Sequence, residues 1–201
     1  MIEPQSISKK LSTSNKPRIT EITDEELMQA VCMGERSAYQ NLVKRHINSI
    51  SHLAYRILKN QKDTEDITQE VFLRLWTNAQ KWEPEKSKLT TWLHRIAHNL
   101  CIDYLRKHGR MQIQDSFDDE AINSPQKNEK SIDEKNSEMK LLNEAISSLP
   151  ENQRSALSLC HYQGFSNKEA AAIMSISVKA LESAIARARR SLREKLTTAA
   201  S

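Results

Sequence analysis

Glycine and proline are scarce in this chain, three and five among 201 residues, and aromatic residues supply only 5%. That shortage, beside many Ala, Leu, Glu, Lys and Arg, favours helices. No run of about 18 apolar residues occurs, which excludes a membrane-spanning helix. Residues 1–22 are rich in Ser, Lys and Thr and lack the apolar stretch of a signal peptide. A cytoplasmic protein with no direct membrane insertion is therefore expected. The three cysteines, Cys32, Cys101 and Cys160, lie far apart and in no CxxC pairing, which predicts reduced thiols, at least two of them in cores. A Gly-rich phosphate loop, a nucleophile elbow and an HExxH pair are missing too. The chain is thus read as no enzyme, with no catalytic residue, cofactor or small-molecule substrate. His94, His98 and Cys101 fall near one side of a helix, but Cys101 fits an apolar stripe and the histidines a polar face, so no metal is expected.

What is present is charge, unevenly placed. Residues 24–110 hold 14 basic and 11 acidic side chains, residues 111–140 hold 4 and 8, and residues 141–201 hold 8 and 5. Two mildly basic blocks flank an acidic connector, a pattern suited to two modules facing a polyanion.

The apolar spacing resolves these blocks into helices. Residues 1–22 show no period and are expected to be a disordered tail. Thr23 and Glu26 form a capping box ahead of Leu27, Val31 and Cys32, and Gly34 ends that short helix. A longer stripe follows from Ala38 through Leu42, Ile47, Ile50, Leu53 and Ile57 to Leu58. A third helix begins at KDTEDITQEVFLRLW, with Asp63 predicted as N-cap and Ile67, Val71, Phe72, Leu75 and Ala79 turned inward. Pro84 ends the run in KWEPEKSK. A fourth helix is predicted from about Leu89 to Lys107, its inner stripe running Leu89, Trp92, Leu93, Ile96, Ala97, Leu100, Cys101, Tyr104 and Leu105. From Gly109 to about Asn136 the period disappears, a linker composition. Helical pattern returns near Glu138, and a helix with Ala156, Leu157 and Leu159 ends at Gly164. The fold class is all-α: two small helical domains, 23–109 and 138–196, joined by a flexible acidic linker at 110–137, with a second disordered tail at 197–201.

The C-terminal block ends in SNKEAAAIMSISVKALESAIARARRSL. Ser166 and Glu169 form a second capping box, MSIS turns the chain, and Ser177 caps the last helix. That is a helix-turn-helix. The outer face of its second helix carries Lys179, Glu182, Ser183, Ala186, Arg187, Arg189 and Arg190. Such a helix suits the major groove, where the cations would meet phosphates or guanine edges and Glu182 could accept from a cytosine amino group. The bland alternative is a solvated basic helix.

Three stretches together resemble one family. DTEDITQEVFLRLW (63–76) resembles the core-polymerase-binding helix of bacterial sigma factors, LTTWLHRIAHNLCIDYLR (89–106) their promoter-melting helix, and residues 149–192 their C-terminal helix-turn-helix. With two such domains and a short linker, the chain is similar to the extracytoplasmic-function group. The resemblance implies a factor that binds core RNA polymerase, directs it to promoter DNA and helps melt the minus-ten element, under an anti-sigma factor. Asp63, Asp66, Gln69, Glu70 and Leu73 would dock on the clamp helices of the largest polymerase subunit. Trp82, Lys86, Lys88, Thr90 and Thr91 would form a base pocket and its phosphate contacts. His94, Arg95, His98, Asn99, Arg106 and Lys107 would offer DNA a polar face. Ser177 and the exposed side chains of the last helix would read the minus-thirty-five element. The chain departs from the family's pattern at Ser175, where glycine is usual, and at Ala180, Glu182 and Ala184, where Thr, Lys and Arg are common.

A stand-alone helix-turn-helix regulator would explain residues 149–192 equally well. It leaves 63–76 and the polar face of 89–107 without a purpose. A helical adaptor that binds only protein would make the basic last helix incidental.

Overall fold

The computed structural model describes residues 22–115 and 134–199, with side chains for 22–108 and 141–197. Among them every regular element is helical. The first four helices are α1 (Asp24–Cys32), α2 (Arg36–Leu58), α3 (Gln61–Asn78) and α4 (Leu89–Asp115). The second four are α5 (Glu134–Ser147), α6 (Glu151–Leu157), α7 (Asn167–Met174) and α8 (Val178–Ala199). The tail 1–21, the central part of the expected linker (116–133) and residues 200–201 lie outside the described residues.

Local chemistry sets the helix ends. Thr23 and Glu26 close a reciprocal capping box on α1, and Ser166 and Glu169 close another on α7, each satisfying amide donors the helix cannot. The Ser177 hydroxyl accepts from the Ala180 amide at 3.1 Å. At α3 the expected cap is corrected: it falls three residues earlier, at Asn60, whose Oδ1 accepts from the Asp63 amide at 3.2 Å. Asp63 therefore sits inside the first turn, where the dipole favours its charge. The expected linker is also shorter, since α4 runs on to Asp115 and α5 starts at Glu134. Residues 110–114, RMQIQ, are good helix formers, and one glycine at 109 costs a helix only about 1 kcal/mol.

The turn between α7 and α8 is closed by two backbone bonds, Ile176 N–H to Ala171 O at 3.0 Å and Ser175 N–H to Ala172 O at 3.3 Å. That geometry requires a left-handed residue between them, and Ser175 adopts φ 56°. The same closure after α1 falls on Gly34, at φ 86°.

Helices α1 to α4 pack around Leu42, Ile50, Leu53, Val71, Leu75, Leu93 and Ala97, and α7 and α8 close over Ala170, Ile173, Leu181 and Ala184. These are not two separate cores. The apolar cluster is continuous through both halves, because α4 packs on α7 and α2 on α6. Arg154 spans the junction: its guanidinium donates to the carbonyls of Ser147 (2.9 Å) and Leu149 (3.3 Å) after α5, and of Ile57 (3.0 Å) at the end of α2.

Candidate polymerase and nucleic-acid interfaces

Helix α3 turns Ile67, Val71, Phe72 and Leu75 into the core, which leaves Asp66, Gln69 and Leu73 on its outer side and Asp63 and Glu70 at the edges. Glu70 pairs with Arg74 at 2.8 Å. Asp63 and Asp66 lie close enough to Tyr104 of α4 to add to the burial that pushes its phenol up to about 12. Leu73 is 54% exposed and Trp76, one turn on, 36% exposed with its ring edge-on to Tyr39 at 5.2 Å. A leucine and a tryptophan left in water on a well-packed helix form an apolar centre with an acidic and polar rim, the usual anatomy of a protein-binding patch. Trp76 was missed in the sequence because its spacing from Phe72 reads as core. Toward the start of α3, α2 and α3 leave an open groove of about 500 Å³ lined by Ile47, Ser51, Tyr55, Thr64, Glu65 and Gln69.

The loop before α4 corrects one expectation. Trp82 is 8% exposed and belongs to the core, its indole N–H donating to Ser87 O at 3.1 Å, so it braces the loop instead of lining a base pocket. Lys86 is exposed and pairs with Glu83 at 2.7 Å. Lys88 reaches Glu169 of α7 at 2.9 Å. That ammonium, with the Ser166 hydroxyl and amide, holds the Glu169 carboxyl down to about 2. Thr90 is half-buried and Thr91 buried.

On α4 the expected polar face divides. Arg95, Asn99, Arg106 and Lys107 are exposed, and Arg106 meets Asp103 only at 4.0 Å. His94 and His98 are not on an open face: they are 2% and 5% exposed. Thr91, His94, His98 and Ile102, at helical spacing, form a second buried side beside the predicted stripe. His94 donates from Nδ1 to Thr90 O at 2.7 Å, lies 2.9 Å from Ser49 Oγ through Nε2, and takes Phe165 edge-on at 4.7 Å. Neither ring nitrogen of His98 has a partner within good hydrogen-bond geometry among the described residues, the neighbouring Asn99 side chain being its one weak polar contact. Burial lowers both imidazoles to about 4, so both are neutral at pH 7. The physical reason for the correction is tertiary: α4 alternates polar and apolar rows, and a second set of helices lies on the polar one. Cys101 sits in the core with its thiol pushed up to about 12. Among the described residues no three His, Cys, Asp or Glu side chains gather as metal ligands, and no helix is long and apolar enough to cross a membrane.

The last helix keeps Leu181, Ala184, Ile185 and Ala188 inside and turns Lys179, Glu182, Ser183, Ala186, Arg187, Arg189 and Arg190 outward. Ser177, at the cap, is exposed too. Arg187 donates to Ser183 O at 3.2 Å, and Arg189 lies 2.9 Å from His161 Nε2. Asn167 of α7 donates to Glu182 at 3.4 Å, which steadies the carboxylate between the two helices. The result is a cationic ridge interrupted by one carboxylate.

Residues 42–111 match the family model described as Sigma-70 region 2, and residues 139–192 that of Sigma-70, region 4. The chain is 33% identical over 160 residues to the ECF RNA polymerase sigma factor SigE of Mycolicibacterium smegmatis, covering 79% of this chain but only 62% of that protein. It is 31% identical to the ECF sigma factor SigM of Bacillus subtilis, over 76% of this chain and 91% of that protein. It is 30% identical to the ECF sigma-E factor of Escherichia coli, over 88% and 95%. Among solved structures it resembles the sigma factor RpoE of Bartonella quintana, in complex with the anti-sigma factor NepR, with a TM-score of 0.62 and 26% identity over 79% of this chain and 96% of that one.

Proposed function

The chain belongs to the extracytoplasmic-function group of RNA polymerase sigma factors, transcription-initiation factors that bind core polymerase and promoter DNA, and from that premise we propose how its surfaces divide the work. The outer side of α3, with Asp63, Asp66, Gln69, Glu70, Leu73 and Trp76, docks on the clamp helices of the largest polymerase subunit. The loop at 86–90 and the α4 face bearing Arg95, Asn99, Arg106 and Lys107 engage the minus-ten element, and His94 and Thr91 join them only when the α4–α7 contact is absent. The α8 ridge reads the minus-thirty-five element, with Arg187 and Arg190 suited to phosphates or guanine and Glu182 to a cytosine amino group. Acting with polymerase on promoters, the protein works in the cytoplasm, carries no catalytic centre and needs no cofactor.

The observation that carries this reading is the exposed Leu73–Trp76 pair on α3. A stand-alone regulator could use such a patch only to dimerise or to sense, and would then bind duplex without polymerase. The test is gel filtration of the purified chain with sigma-free core polymerase, followed by run-off transcription on genomic fragments. Co-elution with specific transcripts supports the reading and supplies the promoter. No co-elution, with tight duplex binding by the chain alone, favours the stand-alone regulator. The Bartonella sigma factor is bound by an anti-sigma factor, and by analogy we assign this chain such a partner, with the α3 patch as its target. Competition between such a protein and core polymerase for the Leu73 patch tests that step.

A further inference from the structure

Two large apolar side chains on one side of α2 stand in water: Ile47 is 39% exposed and Tyr55 47% exposed. Both line the groove that α2 makes with the first turns of α3. From Ile47 to Tyr55 that groove follows α2 for about 12 Å, the span of about four extended residues. The described chain begins at its mouth. Arg45 donates to Ile22 O at 2.7 Å and to Asp24 at 2.9 Å, and so holds the start of α1 on α2. Arg45, Asn48 and His52 share one row of α2, three and four residues apart, and the last two line the groove. Ile22 is therefore fastened about one helical turn from the groove's near end, and residues 1–21 precede it. We propose that the segment KPRI, residues 16–19, occupies this groove in cis, in extended form, with Ile19 against Ile47 and with Lys16 and Arg18 toward Glu65.

Length, charge and backbone chemistry favour this occupant. Ile19 is three residues from Ile22, a reach of about 10 Å, which brings it to the Ile47 end and leaves Pro17 farther along, toward Tyr55. Side chains alternate in an extended segment, so Pro17 and Ile19 can face the α2 wall while Lys16 and Arg18 face α3. Glu65 is the one Asp, Glu, Lys or Arg that lines the groove, and residues 1–21 hold Lys9, Lys10, Lys16 and Arg18 against Glu3 and Glu21. Pro17 fixes its own φ and biases Lys16 before it toward extended backbone, which lowers the cost of ordering the segment. Its amides and carbonyls need partners, and the side chains of Asn48, His52 and Gln69 make no hydrogen bond among the described residues. A short tether also acts as a high local concentration, so individually weak contacts suffice. Gln69 is one turn from Leu73, so the segment sits beside the apolar centre of α3 and leaves it open.

Hydrogen–deuterium exchange of the free full-length chain, read by mass spectrometry on peptides that cover residues 16–19, tests the proposal. The amides of Lys16, Arg18 and Ile19 should exchange severalfold more slowly than in a synthetic peptide of the same sequence. Ile19→Asp should return them to the peptide's rate, and Glu65→Arg should lower the protection from the other side of the contact. Lys16→Glu/Arg18→Glu should lower it as well, and combining that pair with Glu65→Arg should restore part of it. The segment variants lie outside the described helices, so a fold defect in Glu65→Arg, seen by circular dichroism, leaves them to decide. Exchange at the peptide's rate in the wild-type chain overturns the proposal, as does protection that survives both Ile19→Asp and Glu65→Arg. Protection that fades on dilution would place the segment on a second copy, and protection seen only with core polymerase would give the groove to polymerase; either result overturns docking in cis. The readout is taken on the free chain and does not rest on the sigma assignment, which co-elution and transcripts test separately.

Discussion

Arg154 is the sharpest place to test the stability of this arrangement. Its guanidinium donates to the carbonyls of Ser147, Leu149 and Ile57, all at or just beyond helix C-termini, where carbonyls lack intrahelical partners and the dipole favours a cation. Hydrogen bonds from a charged donor contribute roughly 1.5–3 kcal/mol each when buried, and partial solvation of this half-buried group brings that to about 1 kcal/mol apiece. Arg154→Met keeps the apolar stem in place and removes all three, for a loss of about 3 kcal/mol. Arg154→Lys keeps the charge but not the fork, and should recover about 1 kcal/mol of it. Urea unfolding followed by circular dichroism measures both, the midpoint shifting while the slope stays constant. A Met variant within about 0.5 kcal/mol of wild type would refute the view that this side chain fastens the two halves.

Three further outcomes follow from the same geometry. Ser175→Gly should raise stability by about 0.5–1 kcal/mol in thermal unfolding, since a left-handed residue with a Cβ is strained; an unchanged or lower midpoint would show the strain is negligible. Acidification should weaken the fold: buried His94 and His98 titrate near 4 but near 6.5 once exposed, so stability is full above about pH 6.5 and falls from there to pH 4. At pH 5 the loss is about 2 kcal/mol per histidine as an upper figure, and His94→Gln/His98→Gln should flatten the slope of stability between pH 7 and 5. Leu73→Glu should abolish co-elution with core polymerase while leaving the unfolding midpoint within about 0.5 kcal/mol, because the side chain already faces water; retained co-elution would move the docking surface elsewhere.

Whatever depends on chain neighbours was legible in the sequence. Both capping boxes, the Ser177 cap and the inner stripes of α3 and α4 involve residues at most a few positions apart, and helical periodicity with terminal chemistry determines them, whereas the α2 stripe holds except at Ile47, which is 39% exposed. One local detail went the other way: Asn60 competed with Asp63 for the same amide donors, and the earlier cap won because it lengthens α3 by a bonded turn. What only the tertiary structure decided is which polar residues meet water. A histidine at the edge of an apolar stripe reads as surface, and His94 and His98 became buried because α7, more than sixty residues away in sequence, settled on that edge. Trp82, read as a base-pocket residue, was likewise drawn under its own loop, where its indole donates to Ser87 O. Periodicity reports how a helix faces its first packing partner; a second partner from a distant part of the chain leaves no period in it, and only the packed structure shows where that partner lies.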